Sequence, residues 1–192
     1  MSASAFFEVT EAFRRRIGEL IGGENLVHVG PPLSAETNEV SVSLFLFHLE
    51  VNAELRNTPH HATPRAPATG PAPVVPALPW DLLYLITVFR LPDHNVRPPN
   101  ELSTLGAVVQ GLHVDPVLPA SADQDRPVRV SPAPYSMEDV SRLWGLFPQD
   151  VYRTSLVYLA TPVFVEGDAL ASAAPVTESQ RRGGLFDPRE VG

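Results

Sequence analysis

The chain of 192 residues contains no cysteine and no lysine. Without cysteine, thiolate catalysis, disulfide bonds and cysteine-ligated zinc or iron–sulfur sites are excluded. All 14 basic residues are arginines, and 22 acidic residues outnumber them, so the formal net charge is −8. Such a chain lacks the broad basic surface that general nucleic-acid binding needs. The arginine bias has two interpretations: a GC-rich genome, or an interface in which arginine binds carboxylates bidentately.

Signals for membranes, export and catalysis are also missing. No run approaches the roughly 20 apolar residues that cross a bilayer. The first residues lack the basic and apolar regions of a signal peptide, so we expect a soluble protein made in the cytoplasm. No glycine-rich phosphate loop, zinc-protease motif, nucleophile elbow or calcium loop is present. We therefore expect that the protein is not an enzyme and that it binds neither a cofactor nor a metal. The alternative is a catalytic site assembled from residues that lie far apart in the sequence.

Proline, in contrast, is abundant, with 21 residues. Many prolines fall in the segment 57–79, which we interpret as a long loop inserted into a single domain of residues 1–167. The proline spacing favours an extended, polyproline-like backbone. This loop is either a mobile surface excursion or a segment that orders against a partner. Residues 168–192 are small, polar and glycine-containing, and we expect a flexible C-terminal tail.

Three segments have the apolar spacing of amphipathic helices. The first covers residues 4–22 and ends at a glycine pair. The second covers residues 100–113 and begins at an asparagine, a good N-cap. Its apolar stripe consists of Leu102, Leu105, Val108, Val109 and Leu112. The third follows Ser136, which has capping-box spacing to Asp139, and we expect it to continue to Pro148.

The strongest strand pattern lies in residues 40–57, VSVSLFLFHLEVNAELRN. Its second half is apolar on both faces, which predicts that residues 44–49 lie at the centre of a sheet. The other predicted strands are 26–29, 80–91, 128–130 and 152–165. Pro162 lies inside the last of these and cannot donate a ladder hydrogen bond, so we expect an edge, a bulge or a break there. Together these elements predict an α+β fold, a mainly antiparallel mixed sheet flanked by about three helices.

Two segments resemble a known family. Residues 43–57 form an apolar strand followed by Asn-Ala-x-Leu-Arg-Asn, and residues 137–167 form a Leu-Trp helix, a short turn and a strand that ends at Glu-Gly. Between them lie WDLLYLITVF and LGAVVQGLHVDPVL. With the N-terminal helix and its arginines, the collinear match over residues 4–167 resembles the cap, or tail-terminator, proteins of phage-tail-like extracellular contractile injection systems. The proline-rich loop departs from the polar Asp/Gly segment usual in that family.

This resemblance implies a phage tail-terminator-like fold and a structural function. The expected particle is a hexameric ring on the distal end of the inner tube and sheath, which ends tube growth and anchors the last sheath layer. The expected partners are other copies of the chain, the tube protein and the sheath protein, without nucleic acid or direct membrane insertion. We expect the protein to assemble in the cytoplasm as part of an injection particle. The sequence leaves open whether that particle is released outside the cell. The alternative is a stand-alone binding or regulatory module that uses its proline-rich loop.

A closed ring joins one patch of a subunit to a different patch of its neighbour. Charged residues at the rim of such an interface set its register. The three arginines of the first helix alternatively form only a solvated face matched to the helix dipole. An exposed strand edge would accept a sheath segment, with Pro162 marking where pairing within the chain stops. The candidate interface residues are Arg14, Arg15, Arg16, Glu50, Glu54 and Arg56.

Overall fold

The computed structural model describes residues 4–33, 41–57, 61–62, 75–89, 100–118 and 126–167. Within them lie three α-helices, a 3₁₀ turn and seven strands. In chain order these are α1 (Ala5–Ile21), the 3₁₀ turn (Glu24–Leu26), β1 (Val27–Val29), β2 (Val42–Val51), β3 (His61–Ala62), β4 (Val75–Val88), α2 (Asn100–Val114), β5 (Val117–Leu118), β6 (Val128–Pro132), α3 (Met137–Trp144) and β7 (Ser155–Glu166).

The strands lie in the order β1–β2–β4–β7–β6–β5, and the short β3 pairs with the start of β4. β1 runs parallel to β2, and the other pairs are antiparallel. Alternate side chains of β4 enter two separate cores. Tyr84 and Ile86 pack with α1 and α2, whereas Leu83 and Leu85 pack with α3. The molecule therefore has three layers, which confirms the predicted α+β class.

The α1 core contains a buried hydroxyl pair. Phe13 of α1 is fully buried, and its ring centroid lies 5.2 Å from that of Tyr84 at an interplanar angle of 85°. The Tyr84 hydroxyl lies 2.8 Å from Thr10 Oγ1, which donates to the carbonyl of Phe6 at 2.7 Å. The tyrosine is therefore the donor to Thr10. Burial raises the pKa of the Tyr84 phenol well above its usual range, so the group stays neutral.

The end of α1 and the start of α3 follow the predicted signals. At the end of α1, Gly22 has a φ of 93°, and its N–H donates to the carbonyl of Gly18 at 2.9 Å. At the start of α3, Ser136 Oγ accepts from the backbone N–H of Asp139 at 3.1 Å, and the Asp139 carboxylate accepts from Ser136 in return. The Ser136 hydroxyl bond holds the pKa of the Asp139 carboxyl below its usual value. α3 ends at Trp144 and not at the predicted Pro148, because the chain turns after Trp144.

The prediction that residues 44–49 lie at the sheet centre is wrong for most of them. Leu44 is fully buried, but Leu49 is 38% exposed. β1 pairs only with residues 42–44 of β2, so within the described residues the rest of β2 has a neighbour on one side only. A bulge at Phe47 shifts its register with β4. The central strand, buried on both faces, is β4.

β4 begins at Val75, five residues before the predicted strand at residue 80. Its prolines were assigned to the predicted loop 57–79, but a proline lacks only the backbone donor, and its carbonyl still accepts a hydrogen bond. The carbonyl of Pro79 accepts from Asn52 N–H at 3.0 Å, and that of Pro76 accepts from Gly167 N–H at 2.8 Å. Of the predicted proline-rich loop, residues 58–60 and 63–74 lie outside the described part of the chain, as does the predicted tail from residue 168.

Of the three alternatives expected at Pro162, an edge, a bulge or a break, the structure has a bulge in the pairing with β4. Thr161 and Pro162, joined by a cis peptide bond, face the single residue Asp81 of β4. Pairing with β6 ends at Thr161, whereas pairing with β4 continues to Glu166. Pro162 therefore marks the end of pairing on the β6 side only.

A half-buried polar cluster beside this bulge joins the turn after β2 to β4 and β7. Asn52 Nδ2 donates to Asp81 Oδ1 at 2.8 Å and to Thr161 Oγ1 at 3.3 Å, and Thr161 Oγ1 donates to the same Asp81 oxygen. Asn52 Oδ1 accepts the backbone N–H groups of Glu54 at 3.1 Å and Leu55 at 2.8 Å. Asn52 thus fixes the turn after β2 and attaches it to β4 and β7. We call these three side chains the Asn52 clamp.

The hydroxyl pair can be tested with a double-mutant cycle. Thr10→Val keeps the side-chain shape but leaves the buried Tyr84 hydroxyl without its acceptor, so we expect a loss of about 1–3 kcal/mol in the free energy of unfolding. Adding Tyr84→Phe removes the stranded group and should recover much of that loss. Urea titration followed by circular dichroism measures all three variants. Additive losses in the double variant would contradict the pairing.

The Asn52 clamp predicts an asymmetry within one turn. Asn52→Ala removes donors to Asp81 and Thr161 and the acceptor of two backbone N–H groups, so unfolding should cost about 1–3 kcal/mol less. Asn57→Ala is the matched control, because Asn57 is exposed in the same turn and should change stability by less than about 0.5 kcal/mol. Equal midpoints for the two variants in urea would show that the clamp does not stabilise the fold.

Candidate assembly surface

The predicted arginines lie on the second half of α1, where carboxylates of the same chain bind them. Arg14 Nε lies 2.9 Å from Glu11, and its Nη2 lies 3.0 Å from Glu24 in the 3₁₀ turn. The hydrogen bond to Glu11 is the main reason that the pKa of Arg14 is raised. Arg16 Nη2 lies 3.0 Å from Asp115, just after α2. Two of the three arginines therefore connect α1 to neighbouring elements.

Arg15 is the arginine that presents its charge outward. Its side chain is 56% exposed, against 24% for Arg14 and 21% for Arg16. Its ion pair with Glu24 is long, with 3.9 Å between Nε and Oε1. Exposed pairs of this kind contribute about 0–1 kcal/mol, so Arg15 loses little when it changes partner. Among the predicted cations of α1, Arg15 is the one best placed to meet another molecule.

The other predicted interface residues lie at the far end of β2. Glu50 pairs in register with Asp81, which places it on the α3 side of the sheet, 3.9 Å from His48 Nε2. Burial first, and then the negative charges of Glu50 and Asp139, raise the pKa of Tyr135.

Glu54 and Arg56 are exposed on the turn that the Asn52 clamp fixes, and the backbone N–H of Arg56 donates to the carbonyl of Asn52 at 3.0 Å. The structure therefore does not bring the two predicted sets of charges together within one molecule. The arginines lie on the α1 side of the sheet, and Glu50 lies on the α3 side. This separation is compatible with a head-to-tail contact, in which one patch meets a different patch of the neighbour.

Several large apolar side chains of α2 and of the segment after α3 are exposed. Leu102 and Val109 belong to the predicted core stripe of α2, but they are 66% and 40% exposed. The segment after α3 adds Leu146 and Val151, 67% and 79% exposed. The sequence did contain a signal for Leu102 and Val109. Apolar residues surround most of α2, and a helix that packs only one face against a core needs fewer apolar residues. Leu146 lies within the predicted third helix but off its apolar face, and Val151 lies between predicted elements, so spacing gives no signal for either residue.

The described residues offer little that would carry chemistry. A cleft between the first turn of α2 and residues 152–154 is lined by Glu101, Tyr152 and Arg153, among others, and opens to solvent. No three His, Asp or Glu side chains in the described ranges converge as metal ligands would. None of the helices in this part of the chain is long and apolar enough to cross a membrane.

Comparison with known proteins agrees with this description. The family model of the Pvc16 N-terminal domain matches residues 8–179. No curated protein matches the chain. The sheath/tube terminator of the extracellular contractile injection system PVC, in its extended state, superposes with a TM-score of 0.63 at 19% identity, over 95% of this chain and 64% of that chain. The tube-terminating cap of the anti-feeding prophage gives a TM-score of 0.57 at 17% identity, over 92% of this chain and 61% of that chain.

The chain thus spans about three fifths of the length of these two solved chains. Their likeness confirms the terminator-like fold that the resemblance implied. The matched family range covers the helices and strands of the described residues apart from the start of α1. The chain belongs to the family of the Pvc16 N-terminal domain.

Proposed function

We propose that the protein is a structural cap of a contractile injection particle. Six copies form a ring that ends the inner tube and anchors the last sheath layer, and the particle is assembled in the cytoplasm. The family match over residues 8–179 carries this proposal. The two solved chains with the same fold are a sheath/tube terminator and a tube-terminating cap, which supports the same role.

The molecule has the physical features that such a role requires. A ring needs two different patches on each subunit, and the charges and exposed apolar groups of this chain are distributed over both sides of its sheet. Its three layers give a rigid core beneath these surfaces, and the Asn52 clamp holds the turn that displays Glu54 and Arg56. The proposed activity is binding, and the site is a set of surfaces.

Co-assembly with the tube and sheath proteins of the same system tests the cap role. We expect the purified chain to bind at one end of tubes, to shorten them when added during polymerisation, and to show sixfold rings by negative-stain electron microscopy. Because the chain spans only part of the solved terminators, its binding to tube and to sheath should be measured separately. A folded protein of similar size and charge is the control. A chain that stays monomeric and binds neither assembly would overturn the proposal.

Charge reversal tests the predicted contact between Arg15 and the acidic turn of a neighbour. Arg15→Glu and Glu54→Arg should each weaken ring formation about two- to fivefold at low salt, the range of an exposed ion pair. The variant carrying both changes should regain affinity, because the charges are exchanged across the interface. Arg142→Glu is the control, since Arg142 is 73% exposed on α3 and pairs locally with Glu138. Sedimentation at two salt concentrations measures the effect, and independent losses without recovery argue against this pair.

A further inference from the structure

A small open cleft lies at the end of the sheet where β4 finishes and β7 begins. The start of α2 forms one wall and residues 152–154 form the other, and the lining includes Glu101, Leu105, Tyr152, Arg153 and Thr154. The cleft encloses about 240 Å³. Sites for small molecules usually enclose about 300–1,000 Å³, so this cleft is better matched to a single side chain than to a cofactor.

Arg153 is the cation of this cleft, and it is held from two sides. Its guanidinium carbon lies 4.9 Å from the centroid of the Phe89 ring, which is buried just after β4. The backbone carbonyl of Arg153 accepts from Ser155 Oγ at 3.0 Å, and Ser155 Oγ accepts from Trp144 Nε1 at 3.2 Å. Stacking on an aromatic face and a fixed main chain restrict the arginine before any ligand arrives, which lowers the entropy cost of binding.

The guanidinium of Arg153 has hydrogen-bond donors that its own chain does not use. Arginine has five N–H donors, and within the part of the chain that the structure describes those of Arg153 form neither a hydrogen bond nor an ion pair. Arg14, Arg16 and Arg142, in contrast, each lie 2.6–3.0 Å from a carboxylate of their own chain. A half-buried guanidinium with unused donors is matched by a carboxylate, whose two oxygens fit its planar fork.

Glu101 restricts which anion the cleft accepts. It lies in the first turn of α2, where a carboxylate is favourable to the helix dipole. Glu101 and Arg153, both described, line one cleft but form no ion pair with each other. The negative charge of Glu101 repels a multiply charged anion such as phosphate more strongly than a single carboxylate. The cleft therefore favours one carboxylate, with the exposed hydroxyl groups of Tyr152 and Thr154 as neutral neighbours.

The net charge indicates which kind of chain carries this carboxylate. Two copies with a charge of −8 each repel, which disfavours a second copy as the partner. Given the proposed cap role, on which this inference rests, we propose that the cleft receives an Asp or Glu side chain of the tube or sheath protein. Arg153 binds that carboxylate with two parallel hydrogen bonds, and the aliphatic wall at Leu105 packs against its stem.

Arg153→Gln tests the contact by removing the charge. Arg126→Gln is the matched control, because Arg126 is also stacked on an aromatic ring, 4.3 Å from the Phe164 centroid. Co-sedimentation measures binding to tube and to sheath separately, and negative-stain images report rings. We expect Arg153→Gln to weaken binding to one of the two assemblies at least about tenfold, with rings intact. Arg126→Gln should bind that assembly as the native chain does.

The assembly that responds to Arg153→Gln identifies the protein that carries the carboxylate. Unchanged binding to both assemblies, or equal losses from both variants, would overturn the proposal. Loss of rings with tube and sheath binding retained would assign the cleft to a second copy and would also overturn it.

Glu101→Gln gives a test of opposite sign. Removing the negative charge beside the incoming carboxylate should tighten the same contact about two- to fivefold, which a purely structural cleft would not show. Glu138→Gln is the control, because Glu138 lies in the first turn of α3, and it should leave the contact unchanged. Weaker binding by Glu101→Gln would contradict a carboxylate ligand.

Urea titration separates a partner's carboxylate from one in the same chain. The midpoint of Arg153→Gln should fall no further than that of Arg126→Gln, since each variant loses one aromatic stack. A larger fall for Arg153→Gln would place its carboxylate within its own chain and overturn the proposal. If the native chain forms no rings and binds neither tube nor sheath, the cap role itself fails. If native chain and Arg153→Gln bind alike, only the cleft contact fails.

Discussion

Side chains alternate along β4, and this alternation allows one strand to organise two cores. Tyr84 and Ile86 meet α1 and α2 on one side, and Leu83 and Leu85 meet α3 on the other. Burying one such side chain contributes about 1.5–3 kcal/mol, so the strand is a large part of the stability of the domain. The buried hydroxyl of Tyr84 is tolerated because Thr10 accepts its hydrogen bond. β2 and β7 pair directly with this strand, and the three helices pack on its two faces.

The sequence predicted the helices and strands better than it predicted which strands pair with one another. Helix spacing, the glycine at the end of α1 and the capping box of α3 are local signals, and the structure confirms each of them. Which strand is central depends on pairing partners far along the chain, and the apolar run of β2 did not reveal that β1 covers only its first three paired residues. Pro76 and Pro79 suggested a loop because the missing N–H of a proline is visible in the sequence, whereas the N–H groups of Asn52 and Gly167 that donate to their carbonyls are not.

The candidate surfaces were predictable only in part. A charged residue in a sequence does not show whether its partner lies in the same chain, and Arg14 and Arg16 bind carboxylates of Glu24 and Asp115 that spacing did not indicate. An apolar residue likewise does not show whether it packs inside its own chain or faces outward. Leu102 and Val109 fit a core stripe as well as an interface stripe, because both are desolvated and favour the same residue types. Only the packed structure shows that Leu102 and Val109 are exposed and not part of the core.

These two observations bear on how the proposed ring would be held together. Since most of the α1 arginines already hold carboxylates of their own chain, ion pairs between copies supply about 0–1 kcal/mol each and mainly set the register. An exposed apolar side chain that becomes buried between copies supplies about 1.5–3 kcal/mol, so apolar contacts would dominate each interface. A single contact of this size leaves separate copies largely unassociated. In a closed ring every copy makes two contacts and the last one closes within the same particle, where the effective concentration is high. Weak, uncharged interfaces would then keep free copies apart and become sufficient once a tube end gathers them.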